Sequence, residues 1–150
     1  MRKILLILMI IAAPAAAQRR LPVIIPLGKA QPAQQPVLTG IDALRADFAA
    51  QSGGTTVYFG SDSSQLGAPA RTVLQAQAMW LRRHPEIVVR IEGHGDTTDT
   101  RDHALAVGAR RAEEVRDYLV LMGLPAAQLS AMSWGKERPG AGRAVTILVR

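Results

Sequence analysis

A chain of 150 residues is long enough for one domain and short for two. It has no cysteine, so no disulfide supports the fold and a hydrophobic core must do so. The formal charge of +6 suits an anionic polymer or surface, but aromatic residues are only 4% of the chain and basic residues come at most in pairs, which argues against nucleic acid as the partner.

Residues 1–17 have the pattern of an export signal. Arg2 and Lys3 supply a positive start, Ile4 to Ala13 is almost wholly aliphatic, and Ala15 and Ala17 provide the small residues of a cleavage site before Gln18. The apolar run is shorter than the ~20 residues of a spanning helix and is broken at Pro14, which disfavours an uncleaved anchor. No cysteine follows to accept a lipid, so a covalent lipid anchor is not expected. Residues 18–38, with prolines at 22, 26, 32 and 36, read as a linker or extended arm. The apolar "LPVIIPL" inside it is suited to lie on a domain or a partner. The folded domain is expected over 39–150.

Thr39 is placed to cap a short helix carrying Ile41, Leu44 and Phe48 at helical spacing, closed by "QSGG". "TTVYF" is β-branched and aromatic and predicts a strand. After the polar "GSDSSQLG", a helix is predicted from Pro69 to about Arg83, with Val73, Leu74, Ala78 and Leu81 as its buried stripe. "EIVVRIE" alternates as a strand ending at Gly93. A longer helix follows over roughly His103 to Met122. Ala112, Val115, Leu119 and Met122 face the core, and Arg110 and Glu114 pair outside. Gly123 and Pro125 end it, and "LSAMSW" and "AVTILV" are two final strands. The order β-α-β-α-β-β predicts an α+β two-layer sandwich, a mixed sheet with helices packed on one face. Trp80, Trp134 and Tyr58 are expected to be packing groups.

The run "EGHGDTTDTRDHALAVGARRA" concentrates opposed charges. Asp96 falls in a loop after a strand, and Arg111 lies fifteen residues on, in the first half of a helix. A strand, a loop and a returning helix bring both to one mouth. Ion-paired at a surface they are worth ~0–1 kcal/mol. Held apart by backbone, they grip a zwitterion: the carboxylate takes an ammonium, and the guanidinium takes a carboxylate through two parallel hydrogen bonds. The bland alternatives are loop ordering by Asp96 and a salt bridge from Arg111 to Asp96 or Glu114. His94, Asp96 and His103 match no zinc or calcium spacing, so no metal or cofactor is expected. No nucleophile elbow or paired acid and base is readable, so the chain is not expected to be an enzyme.

Four motifs in order carry a family resemblance: "VYF" before a polar loop, "EGHGD" after a strand, "GARRA" on the next helix, and "SWGKERP" followed by "GRAV". Over about Thr55 to Arg150 the chain resembles the OmpA-like peptidoglycan-binding domain family, and within it the peptidoglycan-associated lipoproteins, without their lipidated cysteine. The resemblance implies a non-catalytic periplasmic domain in a Gram-negative envelope, associated with the outer membrane, that binds the diaminopimelate of the peptidoglycan stem peptide. By position, Asp96 matches the family's ammonium-binding aspartate and Arg111 its carboxylate-binding arginine. Asp62 matches an acidic ligand contact, Val107 an apolar lining position, and Thr100 the loop threonine. The chain departs from the pattern at Ala104, where an asparagine is usual, and at Asp99, where a glycine is. These departures imply the alternative: a protein-interaction or adaptor domain with weakened or lost wall binding and an envelope protein as partner.

Overall fold

The computed structural model describes residues 40–138 and 142–149. The expected export signal, the proline-rich arm and Thr39 lie outside the described residues. The elements run α1 (Ile41–Gln51), β1 (Thr56–Tyr58), α2 (Ala68–Arg82), β2 (Val89–His94), α3 (Arg101–Leu121), a 3-10 turn (Ala126–Gln128), β3 (Leu129–Gly135) and β4 (Arg143–Leu148). The four strands lie in the order β1-β4-β2-β3. β2 and β3 are parallel, and β4 pairs antiparallel with β1 and β2. This is the predicted α+β mixed sheet.

The period of two along the strands decides which face is covered. Val57, Val89, Ile91, Ala144 and Leu148 join Phe48, Leu74, Ala78, Leu81, Ala112, Val115 and Leu119 in one buried cluster. The alternate residues Arg90, Glu92, Val145 and Ile147 point the other way. The predicted stripe of α2 is present, with Val73 only partly buried. Ala70, Gln77 and Trp80 are also buried on that helix. Gln77 survives inside because its amide is used at both ends: it donates to Gly54 O at 3.1 Å and accepts from Thr146 Oγ1 at 2.9 Å. Trp80 donates to Asp47 Oδ2 at 2.7 Å, tying α2 to α1.

Helix boundaries follow local chemistry. Pro69 sits in the first turn of α2. Thr100 caps α3, its hydroxyl accepting from the His103 amide at 3.3 Å, so the helix begins at Arg101 and not at His103 as the sequence pattern predicted. Gly123, at φ 93°, closes it. α1 begins after Gly40, which makes no side-chain cap bond. β2 extends beyond its expected end at Gly93 to His94 and starts later, leaving Ile87 buried ahead of it. Outside α3, the ion pairs run from Arg116 to Glu113 and Asp117, both at 3.0 Å, and not from Arg110 to Glu114. Tyr58 corrects the packing expectation: it is 69% exposed, whereas Trp80 is buried and Trp134 half-buried. Among the described residues no helix is long and apolar enough to cross a membrane.

α3 lies close on β2 because glycines face each other. A Cβ on Gly93 would run into the Gly108 carbonyl, and one on Gly95 would stand 2.5 Å from Ala104 Cα. That close approach sets the depth at which Arg111 enters the structure.

Candidate functional site

Three segments meet at one end of the sheet: the β1–α2 loop, the β2–α3 loop and the first half of α3. The sequence-predicted Asp96 and Arg111 are brought together there. Arg111 Nη1 donates to Asp96 Oδ1 at 3.1 Å, so the pair is in contact and not held apart. The Arg111 side chain is 0% exposed and that of Asp96 16%.

The rest of the guanidinium is spent on backbone. Nε donates to Ser63 O at 2.8 Å, Nη1 to His94 O at 2.8 Å, and Nη2 to Gly60 O at 2.9 Å. Four of its five N–H bonds are thus engaged. Its Cζ also stands 5.6 Å from the Phe59 ring centroid. Arg111 therefore stitches the β1–α2 loop to the end of β2. Sequence reading missed these three carbonyl partners, because a backbone acceptor leaves no mark on residue identity.

Asp62 has a different place from a simple ligand contact. Its backbone N–H donates to Asp96 Oδ2 at 3.0 Å, and its carboxylate Oδ1 lies 2.9 Å from His103 Nε2. It is the non-glycine residue with positive φ (49°) among the described residues, a conformation tolerated by aspartate at a turn. Asp96 consequently accepts at both oxygens. The Asp62 amide first, then the hydrogen bond and charge of Arg111 and the charge of His103, hold its carboxyl below its ordinary value of 3.8, against the opposing effect of burial.

The remaining predicted positions spread around this pair. Thr100 is exposed and its hydroxyl is occupied as the helix cap. Val107 is buried, four residues before Arg111 on α3. Ala104 is 0% exposed. Its backbone packs against Gly95, and Leu105 beside it against Gly135, so an asparagine there would enter a closed space.

The trio His94, Asp96 and His103 is not assembled as a metal-ligand set. Asp62, Asp99 and His103 do bring ligand atoms within 4.8 Å of one another. His103 Nε2 lies 2.9 Å from Asp62 Oδ1, within hydrogen-bond distance, and 3.7 Å from Asp99 Oδ2. Chemically, the mouth offers a carboxylate of reduced basicity at its rim and a shielded guanidinium beneath. That arrangement suits binding of a cationic group at Asp96, with Arg111 reached through the β1–α2 loop.

Known proteins share the sequence pattern and the fold of this chain. The family model described as "OmpA family" matches residues 58–146. The peptidoglycan-associated lipoprotein of Agrobacterium fabrum is 44% identical over 86 residues, 57% of this chain and 49% of that protein. The Pseudomonas aeruginosa protein of the same name is 45% identical over 99 residues, 66% of this chain and 58% of that protein. The chain thus spans about half the length of the curated relatives it matches. The crystal structure of the peptidoglycan-associated lipoprotein from Burkholderia pseudomallei superposes with a TM-score of 0.61 at 34% identity, covering 64% of this chain and 91% of that one. The C-terminal domain of Helicobacter pylori MotB shares the fold, with a TM-score of 0.58 at 19% identity over 63% of this chain and 84% of its own.

Proposed function

This chain belongs to the OmpA family, and from that premise we propose that it is a non-catalytic periplasmic domain that binds peptidoglycan non-covalently through the diaminopimelate of the stem peptide. The observation that supports this most is the Asp96–Arg111 pair at the loop mouth. The free centre of diaminopimelate carries one ammonium and one carboxylate. The ammonium meets Asp96, whose oxygens keep lone pairs beyond those taken by Arg111 and the Asp62 amide. The ligand carboxylate replaces the Gly60 and Ser63 carbonyls on the guanidinium as the β1–α2 loop lifts. Asp62 and Thr100 contact the ligand at the rim, and Val107 backs the pocket. Export by residues 1–17 delivers the chain to a Gram-negative periplasm, in association with the outer membrane.

A second reading is favoured by one observation: Arg111 is wholly shielded and satisfied by its own chain. On that reading the pair is structural, and the domain is an adaptor for an envelope protein, with wall binding weakened or lost. A sacculus pull-down separates the two. Wild type should sediment with isolated sacculi, and soluble diaminopimelate muropeptide should compete. Asp96→Asn keeps an acceptor opposite Arg111 but removes the charge, and should lose most of the sedimentation while keeping a cooperative melt. Equal sedimentation of both proteins would show that Asp96 is not the grip. A folded wild type that stays in solution would leave the adaptor reading.

A further inference from the structure

Side chains from three places along the chain meet at the rim of the mouth. Asp62 comes from the β1–α2 loop, Asp99 from the β2–α3 loop and His103 from the first turn of α3. One ligand-type atom of each lies within 4.8 Å of the other two. His103 Nε2 stands 2.9 Å from Asp62 Oδ1 and 3.7 Å from Asp99 Oδ2. The backbone around each is tied down. Thr100 caps α3 and fixes the turn that carries His103. Lys136 Nζ donates to the Asp99 backbone carbonyl. The Asp62 amide donates to Asp96 at 3.0 Å.

The charges in this group do not balance. One imidazole is set against two carboxylates. Arg111, the nearby guanidinium, is spent on Asp96 and on three backbone carbonyls. Asp99 keeps 24% side-chain exposure, yet its Oδ2 is closed to solvent and has no hydrogen-bond partner. A carboxylate oxygen shielded from water without a donor is costly, and a cation relieves that cost. The other two side chains are open to solution, Asp62 at 67% and His103 at 47% exposure, so an ion can reach the group and both can adjust to it.

We propose that Asp62, Asp99 and His103 form a site for a divalent transition-metal ion of the zinc class, with one coordination position left open to the mouth. Bonds of about 2.0–2.1 Å at tetrahedral angles put ligand atoms about 3.3–3.4 Å apart. The separations of 2.9 and 3.7 Å from His103 Nε2 straddle that spacing. One imidazole nitrogen with two carboxylate oxygens suits Zn²⁺ and its neighbours, whereas Mg²⁺ demands an octahedron of oxygens. Three protein ligands and one open position let zinc take a further oxygen ligand from solution. The ion binds neutral His103 at Nε2, so no proton remains there, and its two charges balance the two carboxylates. It also fastens the β1–α2 loop to the start of α3. The ion shares Asp62 with the rim of the mouth, but the site does not rest on the peptidoglycan reading.

The test is a calorimetric titration of the full chain, free of any histidine tag, with Zn²⁺, and a parallel titration with Co²⁺ read by visible absorption. Mg²⁺ and Ca²⁺ are the controls. One equivalent of Zn²⁺ should bind saturably, and Co²⁺ should give the strong visible bands of a four-coordinate ion. His103→Gln should abolish this binding. Asp99→Asn and Asp62→Asn should each weaken it about tenfold or more, since loss of outer-shell support alone costs about 10–100-fold. His84→Gln, which removes the other imidazole beside a carboxylate, should change nothing. Metal-free melting curves check that each variant is folded; if one aspartate variant melts early, the other carries the test. The titration needs no muropeptide, so a failed sacculus assay does not decide it. The proposal is overturned if His103→Gln or a folded aspartate variant binds Zn²⁺ like wild type, if His84→Gln abolishes the binding, if Co²⁺ stays six-coordinate, or if Mg²⁺ matches Zn²⁺.

Discussion

Replacing Arg111 by alanine removes the one side chain that holds the β1–α2 loop, the end of β2 and Asp96 together. Four hydrogen bonds of 2.8–3.1 Å disappear, and a side chain of 0% exposure is emptied from the interior. Breaking a buried ion pair by removing one partner costs about 3–5 kcal/mol. Gly60 is exposed and Ser63 half-buried, so water can recover those carbonyls, and Asp96 keeps 16% exposure. The His94 carbonyl has no such recourse, since that residue is buried. These considerations place the loss in the lower half, about 3–4 kcal/mol, out of a total near 5–15 kcal/mol for an ordinary domain. At about 4 °C per kcal/mol for a domain of this size, the melting temperature should fall by roughly 12–16 °C. Arg111→Lys keeps the charge but not the planar fork and should lose about 2 kcal/mol. Urea titration followed by circular dichroism measures both. An alanine variant within 1 kcal/mol of wild type would refute the idea that the guanidinium organises the mouth.

Asp96 has a depressed carboxyl, so its contribution to stability is present above the unfolded value near 3.8 and is lost as pH falls through the lower folded value. Asp96→Asn should flatten that acid limb of a pH–melting curve; an unchanged limb would place the acid sensitivity elsewhere. Gly93→Ala should be the most damaging single methyl in the sheet, because it meets the Gly108 carbonyl on α3; a loss of about 3 kcal/mol or more in chemical denaturation is expected, and tolerance would mean that α3 can back away. Gln77→Leu leaves the Thr146 hydroxyl and the Gly54 carbonyl without their partner and should cost about 2–3 kcal/mol in chemical denaturation, while Gln77→Glu keeps the acceptor for Thr146 but turns a buried carboxylate oxygen on the Gly54 carbonyl and should cost at least as much at neutral pH.

The parts legible in the sequence are those written in side-chain periodicity. The stripe Leu74, Ala78, Leu81 and the row Ala112, Val115, Leu119 announce helices with one wet face, and both rows are buried as that pattern requires. Strand alternation at Val89 and Ile91 likewise reports which residues face the helices. Tyr58 misled because aromatic content marks a strand but not which of its faces is covered, and its face of β1 is open. Gln77 was passed over because a polar residue on a helix reads as exposed until Thr146, far away in sequence, is seen opposite it. The site was legible as a pair, Asp96 with Arg111, but not as a geometry. The contact distance between them, the shielding of Arg111 and the engagement of Asp62 with His103 depend on a loop whose acceptors are backbone carbonyls.

By itself the sequence determined the order of elements, the helix-covered side of the sheet and the family motifs, because each of these is set by residue type at short range. The tertiary structure alone decided how deep Arg111 sits, since that depth comes from the approach of α3 to β2 at Gly93, Gly95 and Gly108. It alone decided that the sheet has a second charged face as well, because the grouping of Glu92, His94, Arg138 and Arg143 joins residues from β2, β4 and the turn after β3. A local pattern cannot encode a contact whose partners come from different strands.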